Sequence, residues 1–223
     1  MPGTEESMNP EASILEAAKT GDAAKLAELL RENPKRANFR NEQGETPILA
    51  AQYRGHRQVV QLLLDSGVEL SVYEAAAVGA LDRVRARVEA DPSLVNSFSP
   101  DGFTPLSLAS FFGHLAVIEF LLQQGAEVNV GAKNPTTVMP LHAAAAGHHT
   151  AIAELLLAHG AQVNAQQQAG YTPLHSAANS GQEEMARLLL SQGADVAAKD
   201  DSGKTPRDIA LAKNHTAVAD LLK

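Results

Sequence analysis

Thr172-Pro173-Leu174-His175-Ser176-Ala177-Ala178-Asn179-Ser180-Gly181 reads as one short helix with both of its ends marked. The threonine can cap a first turn, and proline is tolerated at the first helical position because the amide there has no helical partner. Two turns later Gly181 offers the left-handed residue that stops a helix. Met185 and Leu188, Leu189 and Leu190 then form the apolar stripe of a second helix, and Gly193 stops it 12 residues after Gly181.

The same punctuation recurs along the chain. Thr46-Pro47-Ile48-Leu49, Thr104-Pro105-Leu106-Ser107, Met139-Pro140-Leu141-His142 and Thr205-Pro206-Arg207-Asp208 repeat the opening, each proline eight residues before a turn anchor. The anchors are Gly21, Gly55, Gly79, Gly113, His148, Gly181 and Asn214, at spacings of 34, 24, 34, 35, 33 and 33. A period near 33 opened by Thr-Pro-Leu-His resembles the ankyrin-repeat family over nearly everything from residue 11 to 223.

The resemblance implies an all-α fold, an ankyrin-repeat solenoid of stacked helix-turn-helix units joined by short β-hairpin fingers. Seven repeats are expected, at approximately 11–40, 41–70, 71–98, 99–133, 134–166, 167–199 and 200–223. They would form a single domain behind a flexible tail at 1–10, with no further domain after the last helix. Polar residues on the first and last repeats, such as Lys19 and Arg207, suit ends that no neighbour covers.

The third repeat departs from the pattern. Too few residues lie between Gly67 and Gly79 for a finger, so its first helix is expected to start near Val72. Residues 14–70 and 72–128 also match each other at an offset of 58, through Glu16/Glu74, Gly21/Gly79, Pro34/Pro92, Asn38/Asn96 and Gly55-His56/Gly113-His114. They read as a duplicated two-repeat block. The finger from Val130 to Val138 is two residues longer than its neighbours.

Composition narrows the function. Lys and Arg number 18 against 26 Asp and Glu, a net charge of −8, which has the wrong sign for binding nucleic acid through phosphate neutralisation. Arg83, Arg85 and Arg87 fan around one helix and read as a solvated face. No cysteine is present, so disulfides and thiolate zinc sites are excluded. The acidic N-terminus is no secretory signal, and no apolar run approaches a membrane span. A cytoplasmic address is expected, with no membrane partner.

No phosphate-cradling glycine loop or nucleophile–base set appears, so neither an enzyme nor a cofactor is expected. His142 and His175 hold the fourth position of the motif, where the resemblance implies a hydrogen bond bridging neighbouring loops. His56, His114, His149 and His215 follow the turn anchors and read as repeat architecture. His114, His148 and His149 are weak candidates for a metal, since three imidazoles can hold zinc.

In the family, partners meet the finger tips and the outer side of the first helix. The resemblance places Tyr53, Arg54, Val78, Phe98, Phe103, Phe111, Phe112 and Tyr171 on that face. Six of the chain's nine aromatic residues are among them. Aromatic side chains concentrate at interface hot spots. The function implied is protein–protein interaction, as scaffold, adaptor or inhibitor, centred on repeat four. The alternatives are a metal-binding or catalytic protein using the histidine-rich loops of repeats four and five, and self-association of an otherwise monomeric solenoid.

Overall fold

The computed structural model describes residues 10–223. Its first helices are α1 (Pro10–Thr20), α2 (Ala23–Glu32), α3 (Pro47–Tyr53), α4 (Arg57–Asp65), α5 (Val72–Val78), α6 (Leu81–Ala90), α7 (Pro105–Phe112) and α8 (Leu115–Gln123). They are followed by α9 (Pro140–Ala146), α10 (Thr150–Ala158), α11 (Pro173–Asn179), α12 (Glu183–Ser191), α13 (Pro206–Ala212) and α14 (Thr216–Leu221). Short 3₁₀ turns cover Pro34–Asn38, Pro92–Asn96 and Gln168–Gly170. The helix starts at Pro47, Pro105, Pro140, Pro173 and Pro206 are those the sequence marks, and α5 starts at Val72 as expected. The expected tail at 1–10 lies, apart from Pro10 in α1, outside the described residues.

Contacts divide the chain into two compact units between Glu74 and Ala75, inside α5. Ile14, Leu26, Ile48 and Leu63 are wholly buried in the first unit. In the second, Leu106, Ile118, Leu121, Leu141, Leu156, Leu174, Met185 and Leu189 play the same part. Each such side chain contributes about 1.5–3 kcal/mol by leaving water. Short first helices rich in alanine, such as α9 with Ala143, Ala144 and Ala145 all buried, allow close helix approach.

The hairpin fingers need correction, because no strand occurs among the described residues. Most fingers are single turns closed by two backbone bonds. Ser99 N–H donates to Phe103 C=O at 2.9 Å and Gly102 N–H to Ser99 C=O at 2.8 Å. Asp200 N–H donates to Lys204 C=O at 3.0 Å and Gly203 N–H to Asp200 C=O at 2.8 Å. Four of these turns span five residues, which leaves no room for a second rung; the one closed by Ala132 N–H to Val138 C=O at 2.9 Å spans seven and forms no strand either. Neighbouring turns are joined instead: Lys133 N–H donates to Gly102 C=O at 2.8 Å, and Asp201 N–H to Ala169 C=O at 3.0 Å.

His148 and Asn214 hold the turn-anchor position without being glycine, and both adopt the left-handed conformation, at φ 63° and 62°. A side chain there costs about 1 kcal/mol relative to glycine. In the trimmed link before α5, Ser71 and Glu74 cap each other. Ser71 N–H and Oγ–H donate to Glu74 Oε2 at 2.8 and 2.6 Å, and Arg40 Nη2 reaches the buried carboxylate at 3.4 Å.

Candidate functional site

Histidines tie successive helix pairs together. His114 precedes α8, and its Nε2 lies 2.9 Å from Ala77 C=O at the end of α5. His149 precedes α10, with its Nε2 3.1 Å from Phe111 C=O at the end of α7. His215 reaches Asn179 C=O at 3.2 Å, and within the first unit His56 reaches Lys19 C=O at 3.1 Å. Gln182 takes the position before α12 and donates to Ala145 C=O at 2.8 Å, so an amide serves where histidine is missing. Each ring rests on the preceding turn glycine. A Cβ on Gly113 would stand 2.5 Å from His149 Cε1, and one on Gly21 2.6 Å from His56 Nδ1. The device therefore spans two successive turns: the glycine of one supplies the room, and the histidine after the next supplies the bond.

His142 and His175 are buried at the starts of α9 and α11. His175 Nε2–H donates to Lys204 C=O at 3.2 Å, while its Nδ1 accepts from Thr172 Oγ1 at 2.8 Å. His142 Nε2 reaches Ala165 C=O at 3.0 Å and Tyr171 C=O at 3.2 Å, but Met139 replaces the threonine and His142 Nδ1 has no partner. Burial lowers the pKa of both, that of His142 to about 4. Burial likewise lowers that of His114. Neutral imidazoles with a protonated Nε2 suit these bonds.

Of the weak metal candidates, His114 and His149 thus spend an imidazole nitrogen on a carbonyl, and His148 is exposed. No group of three or more His, Asp or Glu residues among those described could hold a metal ion.

The second unit carries most of the aromatic positions. Helix α7 is fixed at both ends. Thr104 Oγ1 accepts from Ser107 N–H at 3.1 Å, and His149 holds the Phe111 carbonyl. On this rigid helix Phe111 is 38% exposed and stands edge-on to half-buried Phe112, ring centroids 5.0 Å apart. Phe103, also half-buried, is clamped by buried Ser99, whose Oγ accepts from Phe103 N–H at 2.9 Å. The Phe98 ring lies under the Lys133 ammonium at 4.0 Å, and Tyr171 packs on His175 at 5.1 Å. Val78 is half-buried at the end of α5. The structure therefore pairs Phe111 with Phe112 and gives Phe98 and Tyr171 separate partners. In the first unit, Tyr53 is 43% exposed at the end of α3, and the adjoining Arg54 bonds Ala50 C=O at 3.1 Å.

Three exposed apolar residues lie outside the positions that the sequence marks: Leu115, Val196 and Leu211, exposed by 43%, 38% and 45%. Leu115 opens α8, as Leu81 opens α6, where α4, α10, α12 and α14 place Arg57, Thr150, Glu183 and Thr216; that contrast is its sequence signal. No described helix is long and apolar enough to cross a membrane.

Comparison with known proteins agrees with this architecture. The family model described as ankyrin repeats (3 copies) matches residues 14–132, 72–167 and 141–223. Ankyrin repeat and SAM domain-containing protein 6 of Mus musculus is 35% identical over 133 residues, 60% of this chain and 12% of that protein. DNA-binding protein RFXANK of Homo sapiens is 41% identical over 64 residues, 29% of this chain and 25% of that protein. Ankyrin repeat family A protein 2 of Homo sapiens is 36% identical over 83 residues, 37% of this chain and 26% of that protein. The chain thus spans about a quarter or less of the length of these relatives.

Proposed function

This chain belongs to the ankyrin-repeat family, and from that premise we propose that it is a protein-interaction module of seven repeats, the third shortened, and no enzyme. It acts as a scaffold, adaptor or inhibitor in the cytoplasm, where a chain without cysteine loses nothing to reduction. The carrying observation is Phe111, a large apolar side chain 38% exposed on a helix fixed at both ends. A rigid aromatic anchor gives up little conformational entropy on binding, and burying the rest of its ring contributes about 1–3 kcal/mol. Phe112, Phe103 and Leu115 would surround it, with Val78, Phe98 and Tyr171 at the margin. Tyr53 and Arg54 offer a second, smaller anchor in the first unit.

The partner is a protein. One relative is named as DNA-binding, but a net charge of −8 opposes a phosphate backbone here. Affinity capture from cells of the source organism, wild type beside a variant with Phe103, Phe111 and Phe112 all changed to Ala, tests the reading. A protein retained by the wild type and lost from a folded variant supports it. Identical captures, or a mass that doubles with concentration and falls in the variant, would replace it with self-association or with another face.

A further inference from the structure

The duplicated blocks allow each half to serve as a control for the other. In the first unit, α2, α4 and the 3₁₀ turn at Pro34–Asn38 enclose an open groove of about 520 Å³, bordered by Ala27, Leu30, Arg31, Pro34 and Leu62. A second recess, of about 400 Å³, is bordered by Asn33, Lys35, Arg36, Phe39 and Arg40 of the same turn. The two hollows share one turn.

In the second block the positions of Ala27 and Leu62 are held by Arg85 and Phe120, 58 residues on. There the guanidinium of Arg85 lies over the Phe120 ring at 4.8 Å, and Phe120 is only 6% exposed. A large pair covers this place in one block; a small pair leaves it open in the other.

Charge diverges at the same place. Residues 31–40 carry four cations and one carboxylate, net +3, whereas residues 89–98 carry two carboxylates and no cation, net −2. The turns themselves are alike. Asn33 and Asp91 cap them at φ/ψ of −152°/99° and −146°/95°, accepting from Lys35 and Ser93 N–H at 3.1 and 3.0 Å. Asn38 and Asn96 close them, each accepting from Glu69 or Glu127 N–H at 2.8 Å. Since the turn forms equally well without them, the charges are not required by the fold. Arg36 is engaged by Glu32 at 2.6 Å and Arg40 by Glu74. Exposed Arg31 and Lys35 make no ion pair among the described residues. Asp65 at the α4 edge of the groove bonds Gln61 at 2.7 Å and places any acidic ligand group on the Pro34 side.

We propose that this groove and its basic turn form a second docking site, for an acidic amphipathic segment of a partner protein. An apolar side chain enters between Leu30 and Leu62, and flanking carboxylates meet Arg31 and Lys35. Charge complementarity within a chain of net charge −8 argues for this occupant: the turn is a local inversion of sign. The site is independent of the Phe111 face.

The test uses a fluorescein-labelled peptide of alternating glutamate and leucine, followed by polarisation on the full chain. One variant, Arg31→Glu with Lys35→Ser, installs the second block's charges on the surface. The other, Ala27→Arg with Leu62→Phe, installs its cover. Saturable, salt-sensitive binding to the wild type and to Phe111→Ser, weakened at least tenfold in both block-swap variants, is the expected result. Circular dichroism establishes that each variant is folded; the charge variant touches only exposed positions and keeps the test open if the cover variant fails. Absence of saturable binding to the wild type, or wild-type affinity in a folded block-swap variant, overturns the proposal.

Discussion

Residues 14–70 and 72–128 share their turn glycines, Thr-Pro helix starts, closing asparagines and Gly-His pairs, yet differ on their surfaces. The first block has a basic turn beside an open groove; the second carries two carboxylates and no cation there and covers the groove with Arg85 and Phe120, while Tyr53 and Phe111 are exposed at equivalent positions. What the copies share is what the architecture needs: left-handed turns, caps, and bridges to a neighbouring carbonyl. What they do not share is free to serve binding.

Four sets of substitutions sharpen or break this comparison. Gly55 and Gly113 are equivalent, with φ of 73° and 87°, but a Cβ on Gly55 meets nothing within 4 Å whereas one on Gly113 meets His149. Gly55→Ala should cost about 1 kcal/mol in denaturant unfolding, and Gly113→Ala about 3 kcal/mol, because the ring must also move. Equal costs would break the Gly-His account; adding His149→Ala to Gly113→Ala should recover part of the loss. Next, Arg85→Ala with Phe120→Leu should remove about 1.5–2 kcal/mol, from a lost cation–π contact and a smaller buried side chain. A neutral outcome would mean that the cover does not stabilise the second block. Asn33→Ala and Asp91→Ala should each cost about 1 kcal/mol, to within experimental error of one another, if the two turns are the same device. Smallest of all, His114→Gln should change stability by less than about 0.5 kcal/mol, since Gln182 already makes this bond; a loss like that of His114→Ala would break the equivalence.

Much of the fold was legible because its signals are local. Proline starts, left-handed stops and a period near 33 each follow from backbone chemistry, and α5 begins at Val72 because the missing finger leaves nowhere earlier. Even His148 and Asn214 were placed by position despite being the wrong residue type. The fingers form no strand because most of their turns span only five residues, while the bonds that join one turn to the next, such as Lys133 N–H to Gly102 C=O, depend on a neighbour that a linear pattern does not reveal. The face was harder. Sequence position groups Phe98, Phe103, Phe111 and Phe112, but their partners differ: Lys133 lies over the Phe98 ring, Ser99 holds the Phe103 amide, and Phe111 and Phe112 meet edge-on. The open groove was invisible, since it is defined by small side chains on two different helices.

A photo-crosslinking amino acid placed at position 111, and in a second protein at exposed Glu119 on α8, tests the binding face most directly. If Phe111 anchors the partner, irradiation in cells of the source organism yields a discrete crosslinked protein from position 111 and not from position 119, and Leu115→Asp suppresses it. A partner captured from position 119, with none from position 111, would contradict that assignment and move the interface to the second-helix side.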